Sequence, residues 1–350
     1  MRCAYVRASG RAIGGNGRVA GACCHIPCLD HSALCCQRPD ALSGFMADRC
    51  LVADGRRTTV REALYQAGQH IGDVDARMLM QQALNASHAY LIVHSDQVLT
   101  SEQARKFQQF ADRRALGEPI AYITGKREFY GMDFVVTPAV LIPRPETELL
   151  VDLALERISL NQPSRILDLG TGSGAVALAI ATHRPLAFVT AVDISSEATT
   201  IARINMLQHD LENVRIIEAD WFGGVTGEAF DLIVTNPPYV ARADPHLGRG
   251  DLRFEPSIAL SGGEDGFACL RQIIAAASAY LVKDGTLLLE HGYDQAEACR
   301  KLLDISGYGS VFSRQDLGGV MRVSGGVFSG ATGDSNAGIA GISAGGNQTS

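Results

Sequence analysis

The sequence predicts an α/β chain: a doubly wound sheet in its second half, preceded by a small helical bundle and a β-hairpin linker. Three observations predict it. After residue 160, short apolar runs ended by glycine or an acid alternate with helical patterns, beginning "RILDLG", "AVALAIATH" and "AFVTAVDIS". Such alternation implies strands buried on both faces of one sheet. Between Thr58 and Gly125 the apolar residues recur at helical spacing instead. Joining the two is "REFYGMDF", aromatic runs flanking Gly131, followed by Pro138, Pro143 and Pro145. These read as a hairpin and a stiffened connection.

Taken in order, residues 1–55 differ from the rest. They hold four arginines and no acid before Asp30, and seven of the nine cysteines. Three readings stand open: a metal site at "CCHIPCLDHSALCC", whose spacing fits no familiar zinc pattern; an organelle transit peptide; and a disordered extension, translated from upstream of a start near Met46. The third is the expectation. With only Cys269 and Cys299 beyond residue 50, the remaining chain reads as cytosolic and free of disulfides.

The helical domain is expected over residues 56–127. Thr59 and Glu62 have capping-box spacing ahead of Val60, Ala63, Leu64, Ala67 and Ile71. Asp73 is expected to cap a second helix carrying Ala76, Leu79, Met80, Ala83 and Leu84, and Thr100 with Gln103 to open a third that buries Ala104, Phe107 and Phe110. A bundle of four or five short helices suits holding a partner rather than chemistry. The linker spans 128–145, and "IPRPETE", across its end, reads as fixing the connection and starting a helix near Glu146.

The sheet domain is expected over 146–329. Its further elements are the helix "SEATTIARINMLQHD", capped by Ser195 or Ser196, the strands "VRIIEAD" and "FDLIVTN", the helix "FACLRQIIAAASAYL" and the strand "GTLLLEHG". Residues 330–350, rich in Gly, Ser, Ala and Asn, have too little apolar content to fold and read as a disordered tail.

Composition narrows the function. The 350 residues are 46% hydrophobic and 20% charged, which leaves room for two domains. The formal net charge of -7 argues against a protein that coats nucleic acid, since such binding rests on neutralising phosphates. No apolar run reaches the ~18 residues of a membrane span.

The motifs fall at strand ends, where doubly wound sheets bind ligands. "DLGTGSGAVALA" turns from strand to helix through Gly170, Gly172 and Gly174, letting a ligand lie against free helix-end N–H groups. The loop alone fits a dinucleotide enzyme as well as a methyltransferase. Asp193 ends the next strand, where a carboxylate accepts from ribose hydroxyls or caps a helix. Asp220-Trp221 ends the third; the only tryptophan reads as packing beside an adenine or as core.

"TNPPY" ends the fourth strand. Two prolines make that end abrupt and rigid without adding donors. A planar NH₂ has a delocalised lone pair, so attack on a sulfonium methyl requires the nitrogen to be held in line with both hydrogens accepted. The Asn236 side-chain carbonyl and the Pro237 backbone carbonyl are two such acceptors, and Tyr239 can pack on the flat face of the group. No strong base is needed, because the nitrogen becomes acidic only after methylation.

With these residues in view, the chain from Thr58 to Phe328 resembles the HemK/PrmC family of glutamine methyltransferases. The resemblance rests on "GEPIAYITGKREFYGMDFVVTPAVLIPRPETELLV", "ILDLGTGSGAVALAIA", "AVDIS", "EADWF", "TNPPYV", "DPHLGRGDLRFEPSIAL" and "LLLEHGYDQ". It implies a seven-stranded, Rossmann-like class I methyltransferase domain. It also implies S-adenosylmethionine as methyl donor, no metal, and methylation of the Gly-Gly-Gln glutamine of class-1 peptide release factors. By position it assigns Asp168, Leu169, Gly170, Thr171, Gly172, Asp193, Trp221 and Asn236 to the cofactor. Asn236, Pro237, Pro238 and Tyr239 fall to the glutamine, with Asn236 and Pro237 catalytic. A cytoplasmic monomer whose helical domain docks the release factor, without direct nucleic-acid contact, is the expectation. "RFEP", with Arg253 and Glu255, reads as closing over the site or as a structural ion pair. The Cys-rich head, the tail and "DLGGVMRVSGGVF" depart from the family pattern, which leaves the last hairpin open.

Rival readings are a DNA adenine-N6 methyltransferase, which would need a basic target-recognition region; an enzyme acting on a glutamine of a ribosomal protein; an NAD-dependent dehydrogenase, which leaves "NPPY" without a purpose; and a non-catalytic binding protein on a retained fold.

Overall fold

The computed structural model describes residues 57–330. The expectations placed on the head and the tail lie outside the described residues.

Helix α1 (Val60–Ile71) opens on the expected capping box: Glu62 N donates to Thr59 Oγ1 (3.3 Å) and Thr59 N to Glu62 Oε2 (2.8 Å). Two of the donors that a helix start leaves free are thus satisfied. Helix α2 (Asp73–Leu84) corrects an expectation, since its N-cap is Gly72 and no side chain caps it. Asp73 sits inside the first turn with Asp75, where negative charge suits the helix dipole. With α3 (His88–Val93), α4 (Ser101–Ala115) and α5 (Ile120–Thr124), five helices precede the hairpin among the described residues. Thr100 and Gln103 form the second capping box, on α4. Val60, Leu79, Met80 and Phe107 are fully buried in a core belonging to these helices, and each such large side chain contributes about 1.5–3 kcal/mol.

Strands β1 (Lys126–Phe129) and β2 (Met132–Val135) form the hairpin, which starts two residues earlier than expected. Its turn residues Tyr130 and Gly131 both have positive φ, 53° and 75°, the backbone twist that two-residue hairpins favour. Tyr130 is held there by hydrogen bonds from its N–H to Glu148 (2.9 Å) and from its hydroxyl to Asp152 (2.6 Å).

The sheet domain follows as α6 (Glu148–Arg157), β3 (Ser164–Leu169), α7 (Ala175–His183), β4 (Ala187–Asp193), α8 (Ser196–Gln208), β5 (Val214–Glu218) and β6 (Phe230–Thr235). It continues with α9 (Ser257–Leu260), α10 (Ala268–Ala277), β7 (Leu281–Glu290), α11 (Ala296–Ile305), β8 (Tyr308–Gln315) and β9 (Met321–Phe328). The seven strands are ordered β5-β4-β3-β6-β7-β9-β8. All neighbours are parallel up to β7, and β9 runs antiparallel to both of its own. Strand residues alternate between two cores: Ile166, Val189 and Leu232 pack with α6 and α7, whereas Leu167, Val192 and Ile233 pack with α10 and α11.

Strand β9 enters between β7 and β8, and this explains the glycines of "VSGGVF". A Cβ on Gly325 would stand 2.7 Å from both the Leu287 carbonyl oxygen and Leu288 Cδ2, so only glycine lets the strand close onto its neighbour.

One buried side chain fastens the hairpin to the sheet domain. Asn205 of α8, fully buried, accepts from Val135 N (2.7 Å) and donates to the carbonyls of Val135 (3.0 Å) and Ser173 (2.8 Å). Truncation would orphan three backbone groups, each costing about 1–3 kcal/mol if left buried and unpaired. Asn205→Ala is therefore expected to destabilise the protein by about 2 kcal/mol or more, read as a lower midpoint in urea unfolding.

Candidate active site

The strand order reverses between β3 and β6, so the chain leaves their carboxyl ends in opposite directions and a crevice opens there. A cavity of about 690 Å³ fills it, within the range of small-molecule sites. Its floor is the turn after β3. Gly172 has φ 57°, and a Cβ there would meet nothing within 4 Å, so the turn presents bare backbone to the cavity.

Of the residues that the sequence singles out, Asp168, Gly170, Thr171, Gly172, Asp193, Trp221, Asn236 and Pro238 line this cavity. Three do not. Leu169 points into the core beneath the turn, fully buried. Pro237 is buried, and Tyr239 lines a second cavity of about 470 Å³. Arg144 borders both cavities.

The two aspartates differ in environment. Asp168 is almost fully buried and accepts from the Thr171 hydroxyl at 2.6 Å. Burial pushes its carboxyl up to about 7, against the pull of that hydrogen bond. Asp193 accepts from Gly172 N (2.8 Å) and Ser195 N (3.0 Å). Burial raises its pKa, opposed by these backbone donors. Ser195 caps α8, its hydroxyl accepting from Ala198 N; Asp193 is thus not the cap. A carboxylate offers about four lone-pair sites, so Asp193 retains acceptors for ligand hydroxyls. The Trp221 indole lies beside Gly170 in the cavity wall and packs partly on the core.

Asn236 directly follows β6. Its Nδ2 donates to the Thr147 hydroxyl at 3.2 Å, which leaves the carbonyl oxygen of the amide as a free acceptor. Thr147 belongs to "IPRPETE", a stretch read from sequence only as linker and helix start; its hydroxyl reaches the site because the short helix Pro145–Thr147 brings it against Asn236. Tyr239 turns its hydroxyl to Glu290 Oε1 at 3.2 Å. Burial raises the phenol's pKa, and the Glu290 charge adds to this.

The loop from Val240 to Ser261 forms another wall, through Arg242, Leu247, Ser257 and Ile258. Its base is pinned by Val240 N to the Leu260 carbonyl (2.9 Å) and Gly262 N to the Val240 carbonyl (2.8 Å). The two charges of "RFEP" part company in it. Arg144 Nη2 donates to Glu255 Oε2 at 2.5 Å, joining the linker to the loop. Arg253 Nη2 donates to the Leu116 carbonyl at 2.8 Å, joining the loop to the helical bundle. Burial outweighs Arg144 and raises the Glu255 pKa.

Comparison with known proteins gives the family by sequence. Residues 57–125 match the family model described as PrmC N-terminal domain, and residues 146–248 match Methyltransferase small domain. The release factor glutamine methyltransferase of Burkholderia pseudomallei is 48% identical over 259 residues, 72% of this chain and 91% of its own length. That of Shewanella oneidensis is 42% identical over 289 residues, 82% of this chain and 100% of its own. A solved structure, the release factor-specific protein-(glutamine-N5) methyltransferase from Alicyclobacillus acidocaldarius, is 29% identical, covering 55% of this chain and 98% of its own with a TM-score of 0.36. On sequence identity sustained over nearly the full length of these relatives, this chain belongs to the release factor glutamine methyltransferase family.

Proposed function

We propose that the chain transfers a methyl group from S-adenosylmethionine to the side-chain amide nitrogen of the Gly-Gly-Gln glutamine in class-1 peptide release factors. The observation that carries this reading is Asn236, held at the strand-order reversal with its NH₂ turned to Thr147 and its carbonyl free beside the cavity. An acceptor so placed suits an amide NH₂, and the family supplies the amide in question.

The residues present fit the methyl donor. Asp193 keeps lone pairs for ribose hydroxyls, Gly172 lets the amino-acid end lie against backbone, and Trp221 with Asp220 lines the wall for the adenine. Asp168, at the base of the turn, offers its carboxylate toward the amino group, directly or through Thr171. S-adenosylmethionine supplies an electrophilic methyl on a sulfonium, and no metal enters the reading.

The chain's own work is positioning. The Asn236 carbonyl accepts one hydrogen of the glutamine amide; the other falls to the backbone carbonyl of Pro237, which is buried between the lining residues Asn236 and Pro238, and together they fix the nitrogen in line. Low dielectric makes these contacts worth more than they would be in water. Once methylated, the nitrogen is acidic and loses a proton without a strong base. The five-helix bundle is the proposed dock for the release factor, and the setting a cytoplasmic monomer. Among the described residues no helix is long and apolar enough to cross a membrane.

The test is incubation with labelled S-adenosylmethionine and a purified release factor, mapped by mass spectrometry. One added methyl on the Gly-Gly-Gln glutamine is expected. Label on DNA or a ribosomal protein, with that glutamine unmodified, overturns the reading.

A further inference from the structure

The tetrapeptide from Asn236 to Tyr239 has few donors of its own. Pro237 and Pro238 carry no N–H, so the carbonyls of this segment have to be aimed by groups outside it. Upstream the anchor is the end of β6, where the Thr235 hydroxyl donates to the Leu169 carbonyl at 2.8 Å. Downstream the anchor is Gln295, which lines neither cavity.

Gln295 is 5% exposed, and its amide is fully engaged. Nε2 donates to the Tyr239 carbonyl at 3.1 Å and to the Gly266 carbonyl at 3.3 Å, while Oε1 accepts from Gly292 N at 2.8 Å. A side-chain amide can turn over, exchanging its carbonyl for its NH₂. All three partners here are backbone groups, whose donor and acceptor roles are fixed, so one orientation alone satisfies them. Gln295 also stands at the N-cap of α11, yet its side chain makes no cap hydrogen bond. That position usually holds a short side chain serving its own helix. This one reaches across 56 positions to the acceptor motif instead.

Two glycines permit the close approach. A Cβ on Gly266, whose φ is 76°, would stand 2.5 Å from the Tyr239 carbonyl oxygen and 3.1 Å from Gln295 Nε2. A Cβ on Gly262 would stand 2.7 Å from the Pro238 carbonyl oxygen. The peptide after Tyr239 is thus held on both edges, its carbonyl by Gln295 and its N–H, that of Val240, by the Leu260 carbonyl at 2.9 Å. Between the two anchors little is left to turn. The proline rings lock φ at Pro237 and Pro238, and Pro237, which precedes a proline, is confined to extended ψ.

Resting on the proposed methyl transfer, we infer that Gln295 is a positioning residue: by clamping the peptide after Tyr239 it aims the Pro237 carbonyl at the glutamine amide. With the clamp loosened that carbonyl swings, and the amide nitrogen leaves the line of attack.

The test compares Gln295→Met and Gln295→Glu with the unmodified enzyme. Methionine keeps the length without donor or acceptor. Glutamate keeps the length and the acceptor for Gly292 N, but sets an oxygen against the Tyr239 and Gly266 carbonyls. Both are expected to lower kcat by about 10–100-fold. The dissociation constant for S-adenosylmethionine and KM for the release factor should each stay within about twofold. A residue that only supported the fold would lower the midpoint of urea unfolding and leave kcat of the folded enzyme intact. Amide exchange gives a readout without substrate: Val240 N–H should exchange slowly in the unmodified enzyme and about tenfold or more faster in both variants. If either folded variant keeps full kcat on a release factor that the unmodified enzyme methylates, the positioning role is overturned while the methyl transfer stands. Val240 exchange that is as fast as in exposed loops of the unmodified enzyme, or unchanged in the variants, overturns the clamp whatever the substrate.

Discussion

Asn236→Ala is expected to lower kcat by about 10²–10³-fold, with the dissociation constant for S-adenosylmethionine changing by no more than about fivefold. The asymmetry follows from where the side chain points. Its NH₂ is tied to Thr147, so the carbonyl that alanine removes serves the acceptor amide and makes at most one contact to the methyl donor. The Pro237 carbonyl would still take one amide hydrogen, but a nitrogen held by one hydrogen swings out of line. Single-turnover kinetics with calorimetric cofactor binding separates the two effects. Turnover that survives the substitution places the acceptor elsewhere.

Asp193→Ala is the second large effect, with the opposite pattern. Two charge-assisted hydrogen bonds to ribose hydroxyls, at about 1.5–3 kcal/mol each, make a loss of about 10²-fold or more in cofactor affinity the expected result. Part of that loss comes through the turn itself, since Asp193 also receives Gly172 N and Ser195 N. Asp193→Asn preserves the shape but puts an NH₂ against one of those N–H groups, so it should fall well short of rescue. At saturating cofactor kcat should stay close to that of the unmodified enzyme, because neither acceptor carbonyl has moved. Calorimetric titration with wild-type affinity in Asp193→Ala would remove the ribose role.

The sequence carried the fold where side-chain period and caps are local. Thr59–Glu62 and Thr100–Gln103 formed the boxes their spacing announced, and every run from "RILDLG" to "GTLLLEHG" became the element its period implied. Asp73 misled because glycine at Gly72 supplied the non-helical cap backbone by itself. The placement of β9 between β7 and β8 was illegible because strand order is not written in period; only the paired glycines at Gly325 and Gly326 hinted at close approach. In the site, the cavity wall from Asp168 to Asn236 was readable, since each residue ends a strand. Thr147 and Glu290 were not, because their meaning lies in contacts across 89 and 51 positions to Asn236 and Tyr239. Tyr239, read as packing on the acceptor's flat face, has its hydroxyl on Glu290 and lines a neighbouring cavity, a contact that its motif does not show.

The loop that walls the cavity also touches the helical bundle, and not only through Arg253. Arg114 of α4 bridges Asp75 of α2 (2.6 Å) and Asp251 of the loop (3.3 Å). On the proposed reading, one end of this strut meets the protein substrate and the other meets the methyl donor. Linkage between two such ligands is reciprocal: by whatever factor bound cofactor strengthens the hold on the release factor, bound release factor strengthens the hold on the cofactor. A release factor already engaged would then tighten the equilibrium hold on the cofactor by that same factor.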